Sequence, residues 1–446
     1  PGGTVGVSLT GAGMPNRLGI WDGGSVLTSH QEFGGRVTQT DGASTLSDHA
    51  THVAGTMIAS GVDANAKGMS YQASLKAHDW TNDETEMATA AAAGMLISNH
   101  SYGSICGWYY NGSAWQWYGD PSISNTEDYK FGYYDYGAQS WDDIAVNYPN
   151  YLICKAAGND RGDNLSGSSW TYSNGTPGSG TPPAKDGGTL GYDCIATNAT
   201  AKNVLTVGAV NKIGGNTGNG WTKASDVVMS SFSGWGPTDD GRIKPDVVSL
   251  GVSIYSSIST GTTAYDTYNG TSMATPAASG SLLLVQQHYN ARKGKYMRSA
   301  SLKGLAIHTA DEAGTTAGPD YKFGWGLLNI ASCVQFINDS SMNKLDERIL
   351  NNGVPQSLQF SADAGKPLKV TICWTDKSGT PVTSNELDNT TKMLVNDLDI
   401  RLTRNSDNTV FSPYILDPAN PANAATTGDN TRDNVEMIYI AAPQAG

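Results

Sequence analysis

The stretch His49-Ala50-Thr51-His52-Val53-Ala54-Gly55-Thr56 puts two histidines about one helical turn apart, and three other stretches of the chain give it meaning. Upstream, the apolar run Leu18–Trp21 ends in Asp22. Further along, a second apolar run leads into Asn159, and a Gly-rich turn carries Ser272 into a helix-forming segment. The four segments supply a carboxylate, an imidazole, an amide and a hydroxyl. This is the set of groups that acyl transfer through an activated serine requires.

Length and composition limit the class of protein. With 446 residues the chain exceeds one compact core, and we expect two domains, residues 1–343 and 344–446. Only 15% of the residues are charged and 53 are glycine, which is typical of a rigid, turn-rich secreted enzyme. The net charge of -13 argues against nucleic acid and anionic membrane surfaces as partners, and no apolar run is long enough to span a bilayer. Because Pro1 follows no signal sequence, we expect the chain to begin inside a mature protein.

Apolar strands alternate with helix-forming segments over the first domain. This pattern predicts an α/β fold, a mostly parallel sheet with helices on both faces. The predicted strands are Leu18–Trp21, Met95–Ser98, Tyr151–Cys154 and Val204–Val210. The predicted helices start near Asp48 and Thr275, cover roughly residues 140–147 and 301–309, and include a short one after Asn329.

Beyond about residue 343 the pattern changes to period-two alternation of apolar residues. The alternating segments are Leu368–Trp374, Leu394–Leu402 and Val435–Ile440, and no helical periodicity competes with them. We therefore predict an antiparallel β-sandwich, jelly-roll-like, over residues 344–446. A further strand is expected to close its sheet after Gly446, so we expect the domain to be truncated at its C-terminus.

Three of the candidate residues form a catalytic triad in this interpretation, and each has an ordinary structural alternative. Ser272 would be the nucleophile, but a serine before a helix is more often an N-cap. His49 would be the general base, with His52 as a core histidine on the same helix; the spacing of the pair offers no third zinc ligand. Asp22 would orient His49 and stabilise the imidazolium, although an Asp before glycines commonly forms an Asx-turn.

Taken together, the four segments resemble those of the subtilases, the subtilisin-like serine proteases. The string Gly-Thr-Ser-Met-Ala-Thr-Pro at residues 270–276 matches the family's serine motif without a change, and the order acid, histidine, serine is that of subtilisin. The chain differs from the family at Ala50, where glycine is usual, and at Gly23, where Thr or Ser is usual. The resemblance covers about residues 9–336, and residues 369–374, 394–400 and 434–446 resemble the C-terminal β-barrel, or jelly-roll, domain of some subtilases. It implies a secreted serine endopeptidase that hydrolyses peptide bonds in proteins or peptides through an acyl-enzyme.

The resemblance also implies roles for two further segments. Asn159, after Ala156-Ala157-Gly158, resembles the family's oxyanion motif and would donate its amide to the tetrahedral intermediate; the alternative is a turn asparagine. Ser101, Tyr102 and Gly103 resemble the substrate-binding segment, whose backbone would pair with an extended peptide. The alternative there is a simple turn at the exit of a strand.

Calcium is the one ion that the resemblance suggests, in a structural role, since the chemistry needs no cofactor. The loop after the histidine helix, residues 60–67, is short and does not supply the liganding loop of many relatives. Hard oxygen donors among the later acids are candidates, with solvated charge at strand ends as the alternative and no ligand assigned. These acids are Asp376, Asp388, Asp397, Asp399, Asp429 and Asp433. We expect a monomer located outside the cell or on its surface.

Two long inserts interrupt the first domain. Residues 105–139 are crowded with Trp and Tyr, for which packing of the loop on itself is the first interpretation, ahead of a sugar platform or a substrate wall. Residues 160–201 are rich in Gly, Ser, Thr and Pro. Cys106 and Cys194 fall in separate inserts, and a disulfide between them is a hypothesis for an exported chain. Buried free thiols are expected at Cys154, Cys333 and Cys373.

Two rival functions remain open at this point. A catalytically dead adhesin or glycan-binding protein would use the aromatic insert and the C-terminal sandwich, but all four catalytic residue types are retained. An esterase of the α/β-hydrolase type would carry serine before acid before histidine and a Gly-x-Ser-x-Gly elbow, whereas this chain has the opposite order and no such elbow.

Overall fold

The computed structural model describes residues 6–183, 188–213, 221–339, 344–382 and 386–446. In chain order, the strands are β1 Leu18–Asp22, β2 Val37–Gln39, β3 Leu75–Asp79, β4 Ile97–His100, β5 Trp108–Tyr110, β6 Trp115–Trp117, β7 Leu152–Ala156, β8 Trp170–Tyr172, β9 Leu205–Val210, β10 Val247–Leu250, β11 Ile254–Ser257, β12 Tyr265–Tyr268, β13 Leu368–Cys373, β14 Leu402–Arg404, β15 Thr409–Phe411, β16 Tyr414–Ile415, β17 Thr426–Thr427 and β18 Val435–Ile440. The α-helices are α1 Asp48–Ile58, α2 Asp83–Ala92, α3 Tyr136–Asn147, α4 Thr271–Lys293, α5 Ser299–His308 and α6 Ile330–Asn338.

A seven-stranded parallel sheet forms the centre of the fold, in the order β10-β9-β7-β4-β1-β3-β2. Strand β1 lies between β4 and β3, with Trp21 in register with both His100 and His78. Parallel neighbours end at the same edge of a sheet, and ligands of such sheets bind at that edge. Asp22 follows Trp21 and Ser101 follows His100, so these two residues are neighbours at the carboxyl edge of the sheet.

Helices cover both faces of this sheet, as the alternation of apolar segments predicts. Successive strand residues face opposite sides, so Leu18 and Ile20 join a core shared with α1, α4, α5 and α6. Trp21 instead packs in a second core with Met87 of α2 and Trp141 of α3. The α/β prediction is confirmed for the catalytic part of the chain.

Helix starts follow local capping chemistry. The Ser47 side chain accepts a hydrogen bond from the Ala50 N–H at the start of α1, and Asn329 does the same for α6. Helix α4 begins at Thr271, four residues earlier than predicted, directly after Gly270. Ser272 therefore lies in the first turn of α4 and is not its N-cap.

Both inserts pack against each other in a small aromatic unit. Strands β5, β6 and β8 form a three-stranded sheet, and Trp108, Trp117 and Trp170 make up its buried core. Packing is thus confirmed for these tryptophans. Cys106 and Cys194 lie in one buried cluster, and all five cysteines are free thiols, so the disulfide hypothesis is not supported.

The C-terminal part of the chain contains three two-stranded antiparallel sheets, β13-β18, β14-β15 and β16-β17. The predicted strands near 368–374 and at 435–440 are confirmed as β13 and β18, whereas the predicted strand Leu394–Leu402 is wrong except at its last residue. Carboxylates bind the backbone of that segment: Asp376 accepts hydrogen bonds from the Val395 and Asn396 N–H groups, and Glu436 accepts one from Ile400. These amides are therefore not available to a ladder.

The boundary that we predict after residue 343 falls at the edge of residues 340–343, outside the described residues, so the division into domains stays a prediction, as does the closed sandwich. Within the described part of the chain, no helix combines the length and the apolar character needed to cross a lipid bilayer.

Candidate active site

Asp22 and His49 are brought together at the carboxyl edge of the sheet. Asp22 ends β1 and is 2% exposed, and its Oδ1 lies 2.7 Å from Nδ1 of His49 in the first turn of α1. The Gly23 N–H donates to the same carboxylate oxygen at 2.8 Å. The imidazole is thereby held through one nitrogen, and its Nε2 is directed away from the carboxylate.

The other oxygen of this carboxylate, Asp22 Oδ2, is buried without a hydrogen-bond partner. Gly23, which replaces the family's Thr or Ser, accounts for part of this. A Cβ at Gly23 would lie 2.8 Å from the indole ring of the exposed Trp80, so a larger residue at position 23 requires that ring to shift.

The two histidines of α1 have different environments. Burial, the largest influence on His49, lowers its pKa, but the charge and the hydrogen bond of Asp22 outweigh it, so the pKa is raised above 6.5. His52 is fully buried, stacks on Tyr268 and lies 3.0 Å from the Ile254 carbonyl. Burial lowers the pKa of His52 to about 4, so it is a neutral core histidine, as expected.

Ser272 lies at the same edge through Ser101. The Ser272 hydroxyl donates to the Ser101 carbonyl at 2.9 Å, and the Ser101 hydroxyl donates to the Ser272 carbonyl at 3.0 Å. Within the described residues, no hydrogen bond joins Ser272 to His49. The structure thus joins Asp22 to His49 and Ser272 to Ser101, at the ends of adjacent strands, with the serine hydroxyl turned to a backbone acceptor.

Asn159 is fixed at the start of α4. Its Oδ1 accepts hydrogen bonds from the backbone N–H and the hydroxyl of Thr271, both at 2.9 Å, which directs the NH₂ group away from Thr271. A Cβ placed on Gly270 would lie 3.5 Å from Ser272 N and 3.7 Å from Asn159 Nδ2. Two nitrogen donors therefore border one small space beside Ser272, which glycine leaves open.

The segment Ser101–Gly103 is supported from beneath by residues that sequence reasoning missed. The Tyr102 hydroxyl donates to Asp83 at 2.5 Å, and Lys155 donates to the Tyr102 carbonyl. Lys155 lies on β7 and is 2% exposed; burial, the largest influence, lowers its pKa to about 8. A lysine within an otherwise apolar buried strand is the signal that could have identified it.

Most of the acids considered as calcium ligands are bound to protein donors. Asp376 pairs with Lys202, Asp397 with Lys392, and Asp399 and Asp429 with Arg401. Asp433 accepts a hydrogen bond from the Ile243 N–H. Among the residues that the structure describes, two groups of side chains have the proximity that a metal ion needs, and only Asp388 of the six acids belongs to one of them. The groups are Asp41, His78 and Glu86, and Glu127, Asp193 and Asp388.

The short loop after α1 is closed by a carboxylate of its own. Glu32 is fully buried and accepts hydrogen bonds from the backbone N–H groups of Gly61, Val62 and Asp63. These donors, with the Tyr265 hydroxyl, lower the pKa of Glu32, although burial is the largest single influence and acts to raise it. The loop is thus held by hydrogen bonds to one acid.

Comparison with known proteins agrees with this geometry. The sequence model of the subtilase family matches residues 25–326, a range that holds His49, Asn159 and Ser272 and begins three residues after Asp22. The chain is 30% identical over 215 residues to the serine protease/ABC transporter B family protein tagA of Dictyostelium discoideum, covering 41% of this chain and 12% of that protein. It is 34% identical over 105 residues to the serine protease AprX of Bacillus subtilis, 21% of this chain and 22% of AprX.

The chain therefore spans only a small part of the length of these relatives. Among solved structures, the protease domain of PatA has a TM-score of 0.48 and 18% identity, over 74% of this chain and 98% of that one. The maturation protease PagA has a TM-score of 0.47 and 20% identity, over 72% of this chain and 94% of that one.

Proposed function

The chain belongs to the subtilase family, and we propose that it is a secreted serine endopeptidase that hydrolyses peptide bonds through Ser272, His49 and Asp22. The observation that carries the proposal is the Asp22–His49 hydrogen bond at the strand edge where Ser272 is anchored on Ser101. We propose secretion and a monomeric state on composition and family membership alone.

The proposed reaction starts when substrate takes over the Ser101 carbonyl. A main-chain N–H of an extended peptide along Ser101–Gly103 would replace the Ser272 hydroxyl at that acceptor, freeing the hydroxyl to turn toward His49. Catalytic hydrogen bonds are often absent or long before substrate binds. Ser272 would then attack the scissile carbonyl while His49 takes its proton.

Charge on the tetrahedral intermediate would fall in the space beside Gly270. The Asn159 amide and the Ser272 N–H would donate to the oxyanion there, at the start of α4, where the helix dipole favours negative charge. His49 would next protonate the leaving amine, and water would release the acyl group by the reverse sequence.

A fluorophosphonate probe tests the proposal directly. We expect one covalent adduct per chain, mapped to Ser272 by peptide mass spectrometry, together with hydrolysis of casein that the probe abolishes. A folded protein that takes up no probe and cleaves no protein would favour the dead adhesin instead.

Replacing Asn159 by alanine is expected to lower kcat by about 10²–10³-fold with little change in KM, because the amide acts on the intermediate and not on the bound substrate. Steady-state kinetics on a fluorogenic peptide measures both constants. Asn198→Ala, at a half-buried asparagine of the second insert, serves as the control. Equal kcat in Asn159→Ala and wild type would remove Asn159 from the oxyanion site.

Proteolysis is expected to require neutral His49, so kcat/KM should rise with pH through the pKa of this residue. Because Asp22 raises that pKa, the midpoint of the rise should lie above pH 6.5 and activity should be lost below it. A profile of kcat/KM from pH 5 to 9 measures the midpoint. A midpoint well below 6.5 would mean that the carboxylate does not act on the imidazole.

A further inference from the structure

Four carboxylates from four separate segments meet beside the aromatic unit. Glu127 comes from the first insert, Asp193 from the second, Asp239 from the loop before β10, and Asp388 from the C-terminal part of the chain. Ligand oxygens of Glu127, Asp193 and Asp388 all lie within 4.8 Å of one another.

Asp239 lies next to Asp193 of this group, at Gly132. A Cβ placed on Gly132 would overlap Asp239 Oδ1 and lie 2.6 Å from Asp193 Oδ1, so the two oxygens face one shared space. The surrounding backbone is fixed, since the Gly132 N–H donates to the Ile195 carbonyl and the Asp239 N–H donates to the Gly132 carbonyl. A side chain at position 132 would therefore displace the Asp239 carboxylate from its place beside Asp193.

Asp193 and Asp388 share a hydrogen bond between their carboxyl groups, but several other oxygens of the group have no partner. Asp193 Oδ1 and both carboxylate oxygens of Asp239 are each exposed by less than 1 Å² and accept no hydrogen bond. Within the described ranges, no ion pair includes any of the four carboxylates. The Arg242 side chain is the cation that acts on Asp239, but its Nε is bound to both oxygens of Asp240, at 2.8 and 3.0 Å.

The crowding of these acids raises their pKa values. Burial, followed by the neighbouring carboxylates, raises the pKa of Asp193 well above its usual range and that of Asp239 to about 10. Burial and the charge of Asp388 raise the pKa of Glu127 to about 7. Buried like charges at this separation are stable together only if they take up protons or a counter-ion.

We propose that Glu127, Asp193, Asp239 and Asp388 bind a calcium ion. The donor set consists of oxygen alone, without the nitrogen or sulfur that would favour zinc or copper, and a group of carboxylates suits the larger, less demanding coordination of Ca²⁺. The ion would tie both inserts and the C-terminal part to the sheet. This site is independent of the proposed protease activity.

The test uses the full chain carrying Ser272→Ala, which prevents self-digestion during the measurements. After dialysis against EDTA, thermal unfolding is followed with and without added CaCl₂, and bound calcium is counted by atomic emission. We expect calcium to raise the Tm, and the double variant Asp193→Asn/Asp239→Asn to bind one ion fewer and to lose that rise in Tm.

The behaviour in EDTA separates an ion site from a merely structural acid. Without calcium the double variant should unfold at the same temperature as its parent, because carboxyl groups with pKa values raised this far are protonated at neutral pH and the amides that replace them carry the same zero charge. If the two acids were needed only for packing, their replacement would lower the Tm both in EDTA and in calcium. Asp397→Asn, which breaks the surface pair with Lys392, is the matched control and should keep the full calcium response.

Terbium provides a second readout if the double variant fails to fold. Tb³⁺ bound near Tyr133, the neighbour of Gly132, should emit on excitation of the aromatic side chains and should be displaced by calcium. The single variant Asp388→Asn, at an exposed position, should weaken this emission at least tenfold at a fixed Tb³⁺ concentration. Equal calcium counts and equal Tb³⁺ emission in parent and variants would overturn the proposal.

Discussion

Replacing Ser272 by alanine is expected to lower kcat by about 10⁶-fold while leaving the protein folded. The hydroxyl is the only nucleophile of the proposed reaction, and loss of the nucleophile removes the benefit of the base and the acid together. The structural cost is small: the Ser101 carbonyl loses one partner at 2.9 Å, worth about 1 kcal/mol, and a water molecule can replace it at this half-buried position.

The measurement combines peptide hydrolysis with thermal unfolding. Ser281→Ala is the matched control, since Ser281 is a buried serine of the same helix that lies away from the sheet edge. We expect Ser281→Ala to keep wild-type kcat and Ser272→Ala to keep wild-type Tm within a few degrees. Residual turnover above about 1% of wild type in Ser272→Ala would exclude Ser272 as the nucleophile.

The sequence was sufficient to predict that Asp22 and Ser101 meet at the sheet edge. Asp22 and Ser101 each follow an apolar strand, and the rule that parallel strands end together brings them to one place without any knowledge of tertiary contacts. The start of α1 was equally accessible, because Ser47 caps it through a local hydrogen bond. Features set by short-range chemistry or by strand order were therefore predictable.

Features set by long-range contacts were not predictable from the sequence. The alternating segment 394–402 has the pattern of a strand, but its amides bind the carboxylates of Asp376 and Glu436, which lie 19 or more residues away in the chain. The contact of Lys155 with the Tyr102 carbonyl is likewise set by tertiary structure, although a lysine within an apolar strand marks the residue itself. Some side chains accept hydrogen bonds from amides that would otherwise pair with a strand, and others donate to a neighbouring loop. Neither kind of contact produces a periodic pattern in the sequence.

The same limit applies to Gly23. The sequence shows only that glycine replaces a residue with a hydroxyl group. The structure shows in addition that the Trp80 ring lies 2.8 Å from the place where a Cβ at position 23 would be. The carboxylate of Asp22 is consequently supported on one oxygen and unsupported on the other. This asymmetry decides how a neutral replacement of the acid would behave.

Asp22→Asn is expected to lower kcat/KM by about 10³–10⁴-fold. The Gly23 N–H needs an acceptor at the position of Oδ1, so the asparagine should place its carbonyl oxygen there and its NH₂ group where Oδ2 now lies. That oxygen would still accept a hydrogen bond from Nδ1 of His49, and the imidazole would keep its tautomer. The loss would then come from the missing charge that stabilises the imidazolium.

A change of charge and a change of tautomer predict different pH profiles. If the tautomer is kept, the pKa of His49 falls because only burial still acts on it strongly, and the acid limb of kcat/KM moves to lower pH as the plateau drops. Asp79→Asn is the matched control: Asp79 is in register with Asp22 on β3 but accepts hydrogen bonds from Gly24 and Thr81 and does not contact His49. It should change kcat/KM by less than tenfold. An Asp22→Asn enzyme whose acid limb stays at the wild-type pH would show that the carboxylate charge is not what raises the pKa of His49.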